Sequence, residues 1–123
     1  MTKDEYFKFQ DEFFEEIKKL TVKKNQDYTG LDPSPFSNFM ACEKLGVASS
    51  LQGLMVRMLD KFARLNSFAQ KGFLEVSNES VKDTLMDLAN YCCLTAGLIE
   101  DDRRNVAVKI PDKVEVEIAT PNG

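Results

Sequence analysis

The chain contains no histidine and no tryptophan. Without histidine, imidazole-based triads and imidazole-ligated metals are excluded within one chain. Its three cysteines, Cys42, Cys92 and Cys93, are an odd number without metal-ligand spacing. Cys92 and Cys93, adjacent on a helix, point about 100° apart and read as small core residues in a reduced, intracellular setting. Any metal would sit among oxygens, which favours Mg²⁺ or Mn²⁺ over Zn²⁺. No apolar run approaches the length of a membrane span, and the segment Met1 to Tyr6 does not read as a signal peptide. Basic residues are outnumbered, 16 against 20 acids, giving a formal charge of −4. General attraction to nucleic acid or to an anionic membrane is therefore not expected, which leaves room for a local basic pocket.

What remains is an ordinary globular composition, 43% hydrophobic and 29% charged, in a chain of 123 residues, so a single folded core is expected. Thr2 and Glu5 have the spacing of a capping box. Tyr6, Phe9, Phe13, Ile17 and Leu20 then recur at three- and four-residue steps and predict a helix over about 3–24. Phe7 and Phe14 widen its apolar face beyond what one groove needs. A short helix is expected over 37–45, closed by Gly46, and a long one over 49–70, stopped at Lys71-Gly72. Leu51, Leu54, Met55, Met58, Phe62 and Leu65 form its core stripe. A third long helix is expected over 78–101, with Asn78 as its capping residue. Beyond Asp102 the period changes: Val106, Val108 and Ile110 alternate, then Val114, Val116 and Ile118. The expected architecture is all-α, a bundle of three long helices and one short one. Residues 1–102 form the helical domain and 103–123 an extended arm or β-hairpin.

The last long helix is the most informative. Val81, Leu85, Leu88, Cys92 and Ile99 make an apolar stripe expected to face a core. Almost opposite, Glu79, Asp83, Asp87 and Asn90 share a sector roughly 80° wide, and Leu94 and Leu98 continue that sector. A helix apolar nearly all round is buried on more than one side. Carboxylates stacked on it at four-residue steps need a cation to compensate them, either a divalent metal or a basic helix. The preceding helix offers such a stripe, Arg57, Lys61 and Arg64. The two stripes either pair with each other or face a common cleft in which cations bind phosphate and carboxylates bind metal. Lys24, Asn25, Asp27 and Tyr28, where the first helix ends, are either a helix terminus and loop or the polar lip of that cleft.

The ordered motifs Lys24-Asn25-x-Asp27-Tyr28, Asp60-Lys61-Phe62-x-Arg64-Leu65 and Glu79-Ser80-x-x-Asp83-Thr84-Leu85-x-Asp87-Leu88-Ala89-Asn90-Tyr91 resemble those of the nucleotide-modification-associated domain 1 family. That family occurs in bacteriophages and some bacteria. The likeness covers about residues 15–100 and implies a phage-type protein of nucleotide metabolism, acting in the cytoplasm of a bacterial host. More distantly, the chain is similar to the MazG-like all-α NTP pyrophosphatases, oligomeric bundles that bind Mg²⁺ through acids on two successive helices. It departs from them in having no Glu-Glu-x-x-Glu on the helix over 49–70.

On these resemblances the first expectation is a Mg²⁺-dependent nucleotide hydrolase. Glu79, Asp83 and Asp87 would hold the metal, and Lys61, Asp83 and Asp87 would carry the chemistry. Lys24, Asn25, Asp27, Tyr28, Arg57, Arg64 and Asn90 would bind the ligand. The alternative is a non-enzymatic protein that captures a nucleotide or signal molecule, or inhibits a host protein, with the acids kept as structural partners of the cations. The broad apolar arcs of the first and last long helices lead to the expectation of a homodimer or higher homo-oligomer.

Overall fold

The computed structural model describes residues 1–28, 34–73 and 80–109, with the backbone alone over 25–28 and 107–109. These residues form four helices: α1 (Lys3–Tyr28), α2 (Ser37–Lys44), α3 (Ser50–Lys71) and α4 (Val81–Lys109). The architecture is an all-α helical bundle. α4 is central: α3 packs along it, α1 crosses it on another side, and α2 packs on α3.

The helix ends follow from local chemistry. The Glu5 amide donates to Thr2 Oγ1 at 3.1 Å, which sets the start of α1. Ser49 caps α3 in a full box: its hydroxyl accepts from the Gln52 amide while its own amide donates to Gln52 Oε1. At the other end Gly72, at φ 83°, takes the left-handed conformation and donates to the Phe68 carbonyl. α4 begins later than the sequence suggests. Ser80 Oγ accepts from the Asp83 amide at 3.0 Å and Asp83 Oδ2 accepts from the Ser80 amide at 3.2 Å. Ser80 and Asp83 thus make the reciprocal cap, and Asn78 lies outside the described residues. α4 also runs on to Lys109. Val106 and Val108, whose alternation predicted an extended segment, therefore lie on the helix, and the domain boundary expected at 103 falls within it. Over so short a run, with Ala107 between the two valines, period two and period 3.6 cannot be told apart. The rest of the expected arm, from 110 onward, lies outside the described residues.

The core is small. Phe36, Leu54, Met86 and Leu98 are the buried apolar side chains among the described residues, and Thr84 and Ser50 are buried with them. Phe36, Leu54 and Leu98 form one cluster against which Phe39, Tyr91 and Leu94 pack. Thr84 is tolerated there because its hydroxyl donates to the Ser80 carbonyl.

Three predicted apolar stripes are corrected. On α3, Leu54 is buried and Met58 and Leu65 are half-buried, but Leu51, Met55 and Phe62 are exposed. On α4, Leu85 and Cys92 are exposed and Val81, Leu88 and Ile99 only half-buried. The sector that actually faces inward on α4 carries Thr84, Asp87, Tyr91, Leu94 and Leu98. α1 touches the rest through a thin seam, Phe13, Ile17 and Thr21, while Tyr6, Phe9 and Leu20 of its predicted stripe are exposed. The physical reason is common to all three helices: each has two apolar faces, and the chain supplies packing for one.

Candidate functional site

The α3–α4 pair has a polar side and an apolar side. On the polar side α3 presents Arg57 and Lys61, α4 presents Asp87 and Asn90, and the last turns of α1 bring Thr21 and Lys24 across. The Lys61 ammonium lies 3.0 Å from Asp87 Oδ2 with its side chain only 13% exposed. The Lys24 ammonium reaches the other carboxylate oxygen, Oδ1, at 3.7 Å. One carboxylate on α4 therefore ties α1 and α3 to the same point. Thr21 adds a second tie, its hydroxyl lying 3.1 Å from Asn90 Oδ1 and 2.8 Å from the Ile17 carbonyl oxygen. Lys82 and Glu16 make a more exposed third contact at 3.0 Å, which contributes little by itself.

Beside this junction opens a cavity of about 450 Å³. Lys24, Arg57, Asn38 and Asn90 supply its polar wall, and Phe39 and Tyr91 its aromatic wall, with Gly53 and Leu94 between. A Cβ at Gly53 would stand 3.7 Å from the Phe39 ring, an ordinary contact distance. Arg57 makes no ion pair or hydrogen bond among the described residues, and neither do the side-chain amide of Asn38 and the phenol of Tyr91. A guanidinium, an amide and a phenol are thus available at one cavity lined by aromatic rings. Such a site suits a ligand with a planar ring at one end and an anionic group at the other.

The residues singled out from the sequence are distributed unevenly. Lys24, Arg57 and Asn90 line the cavity, and Asp87 and Lys61 stand behind it as an ion pair. Arg64 instead faces Asp60 on its own helix at 3.7 Å. Asp83 is exposed and serves the start of α4. Hydrogen bonds from the Ser80 amide and hydroxyl hold its carboxyl below the ordinary value of 3.8, with smaller help from the Lys82 and Lys24 charges. Glu79 and the side chains of Asn25, Asp27 and Tyr28 lie outside the described residues. The sequence reading missed Thr21, Asn38 and Phe39, and used Tyr91 only as part of a motif. The sequence marks α2 only as a short helix; its packing on α3 is what places Asn38 and Phe39 at the same cavity as Asn90 and Tyr91.

Among the described residues no group of three acid, cysteine or histidine side chains converges as a metal ion needs. Asp83 is engaged in the cap at the start of α4, and Asp87 lies between two ammonium groups. Nor is any described helix long and apolar enough to cross a membrane. No protein-family model, curated protein or solved structure matches the chain. Any functional reading therefore rests on the three sequence motifs and on the cavity.

Proposed function

We propose that this protein binds a nucleotide or nucleotide-derived anion in the cavity between α1, α2, α3 and α4. The observation that carries the reading is Arg57: a guanidinium without a partner among the described residues, opening onto a cavity that also holds Lys24, Asn38, Asn90, Phe39 and Tyr91. Arg57 and Lys24 take the phosphate, Arg57 in bidentate fashion. Phe39 and Tyr91 take the base, and the two amides read its polar edge. The Asp87–Lys61 pair is scaffolding, since it fixes the α1–α4–α3 junction from which the cavity walls diverge.

Capture of the ligand is the reading the geometry supports best. Hydrolysis comes second, and what favours it is Asp87, a carboxylate behind the cavity wall that pairs with the lining residue Lys24. For catalysis Asp83 and Asp87 would have to leave their present partners to take Mg²⁺, so no catalytic step is derived through the metal.

The deciding experiment is calorimetric titration with nucleoside mono- and triphosphates, with and without Mg²⁺, followed by chromatography of the recovered ligand. Binding is expected, weakened tenfold or more by Arg57→Ala, on the scale of about 1.5–3 kcal/mol for a charge-assisted contact. Intact ligand recovered throughout supports capture, and Mg²⁺-dependent product moves the hydrolytic reading to first place. An Arg57→Ala variant that binds as well as wild type refutes the site.

A further inference from the structure

We infer that the apolar side of the α3–α4 pair is the interface with a second copy of this chain, the α3 ridge of each copy lying in the α1–α4 groove of the other. The groove is a trough of about 730 Å³ between Tyr6, Phe9 and Phe13 of α1 and Val81, Leu85 and Leu88 of α4, with Cys92 on its floor. The ridge is Leu51, Met55 and Leu59, at four-residue steps on α3, with Phe62 beside them. Groove and ridge are continuous: the Met58 and Cys92 sulfurs lie 3.9 Å apart, joining the edge of the ridge to the groove floor.

Three observations select a second copy as the occupant. The first is area. Tyr6, Phe9, Phe14, Leu51, Met55, Leu59, Phe62 and Leu85 are each between 39% and 69% exposed. At roughly 200 Å² for a large side chain, they present on the order of 800 Å² of apolar surface. That exceeds the largest patch of an ordinary monomer, about 300–600 Å², and equals the share of about 800 Å² each partner contributes to a standard interface. The second is self-complementarity. A two-fold contact uses the same patch twice, so the patch must carry both a concave and a convex feature, and this one does. A row of side chains at four-residue steps is the ridge that helix packing sets into a neighbouring groove. The third is the core itself. Among the described residues four apolar side chains are buried, few for a folded unit of this size, whereas docking two copies adds the stripes on α1, α3 and α4 to a shared core.

On α4 the groove residues and the cavity residues Asn90, Tyr91 and Leu94 occupy opposite sectors. The copies therefore meet back to back, with each cavity facing outward and complete within one protomer. The interface is thus independent of whether the cavity binds a nucleotide.

Light scattering and sedimentation at micromolar concentration measure the mass, expected at twice 13.9 kDa. A mass of 13.9 kDa overturns the inference, whether the groove is then covered by residues 110–123, by a different protein or by nothing. A second measurement needs no mutation at the interface: maleimide labelling of the folded protein, read at each cysteine by tandem mass spectrometry. Cys92 and Cys93 are both exposed in the single chain, but Cys92 alone lines the groove. In the dimer Cys92 is expected to react at least about tenfold more slowly than Cys93, because access limits thiol reactivity. Equal rates overturn the inference even if the mass is that of a dimer, since the copies then meet through another face. Met55→Glu with Leu59→Glu, both changes at exposed positions of the single chain, is expected to raise the dimer dissociation constant at least about a hundredfold.

Discussion

Lys61 of α3 and Asp87 of α4 form the most sheltered ion pair among the described residues, with Lys61 Nζ 3.0 Å from Asp87 Oδ2. The carboxylate has a second ammonium, that of Lys24, at 3.7 Å on its other oxygen. Removing the two partners should have unequal effects. Asp87→Ala takes the carboxylate away from two ammonium groups, one of them nearly buried, and is expected to cost about 2 kcal/mol, reduced from the fully buried case because Asp87 is partly solvated. Lys61→Met keeps the stem and removes the charge, while Asp87 retains Lys24, so it is expected to cost less. Chemical denaturation of both single variants and the double variant measures the coupling. A coupling energy near zero would show that the pair contributes nothing to the junction.

The cavity's aromatic wall makes a separate prediction about selectivity. A stacked base is worth about 1–3 kcal/mol, and inorganic triphosphate has no base to stack. Phe39→Leu, which keeps an apolar side chain against the core, is expected to weaken nucleoside triphosphate binding about tenfold and leave inorganic triphosphate unchanged. Equal loss for both ligands would mean that Phe39 acts only on the shape of the site.

Asp83 was read from the sequence as a metal ligand and is placed at the start of α4 with Ser80. Its carboxyl is held below the ordinary value of 3.8, so it binds protons less readily folded than unfolded. A depressed folded value stabilises the fold fully above the unfolded value, and this contribution is lost as pH falls through the lowered folded value. Asp83→Ala should therefore lower the melting temperature by a few degrees at neutral pH, with the difference from wild type closing as pH falls through the lowered folded value. Nucleotide affinity should stay unchanged, because Asp83 does not line the cavity. A variant that loses Mg²⁺-dependent binding while keeping its melting temperature would support Asp83 as a metal ligand.

The existence and type of the four helices were legible because their signals are local: a capping box at Thr2 and Glu5, a stop at Gly72, apolar recurrence at three and four residues. Which apolar stripe faces inward was not legible. Leu85 and Cys92 repeat on α4 as regularly as Thr84, Tyr91 and Leu98, and periodicity alone marks both faces as apolar without ranking them. The site shows the same division. Arg57 and Lys61 sit on one sector of α3, yet a small difference in direction sends one into a cavity and the other onto Asp87. The contribution of α2 depended on a tertiary contact, Phe36 against Leu54 and Leu98, that no spacing encodes.

That contact gives a prediction with opposite signs at one position. Gly97 lies inside α4, where glycine costs about 1 kcal/mol relative to alanine. A Cβ added there would stand 3.4 Å from Cζ of the buried Phe36 ring, an ordinary van der Waals distance. Gly97→Ala is therefore expected to raise stability by up to about 1 kcal/mol, since it gains helix propensity without displacing the ring. Gly97→Leu drives further carbons into the space Phe36 occupies and is expected to cost about 1–3 kcal/mol. The effect should reach the cavity, because Phe36 immediately precedes α2 and its displacement moves Asn38 and Phe39 away from Asn90 and Tyr91. Thermal melts and nucleotide titrations on the two variants read both consequences. If Gly97→Leu lowers stability but leaves affinity intact, Phe36 anchors the core without positioning the site. If Gly97→Ala also destabilises, the ring cannot accept even a methyl group, and the packing between Phe36 and α4 is tighter than the 3.4 Å approach implies.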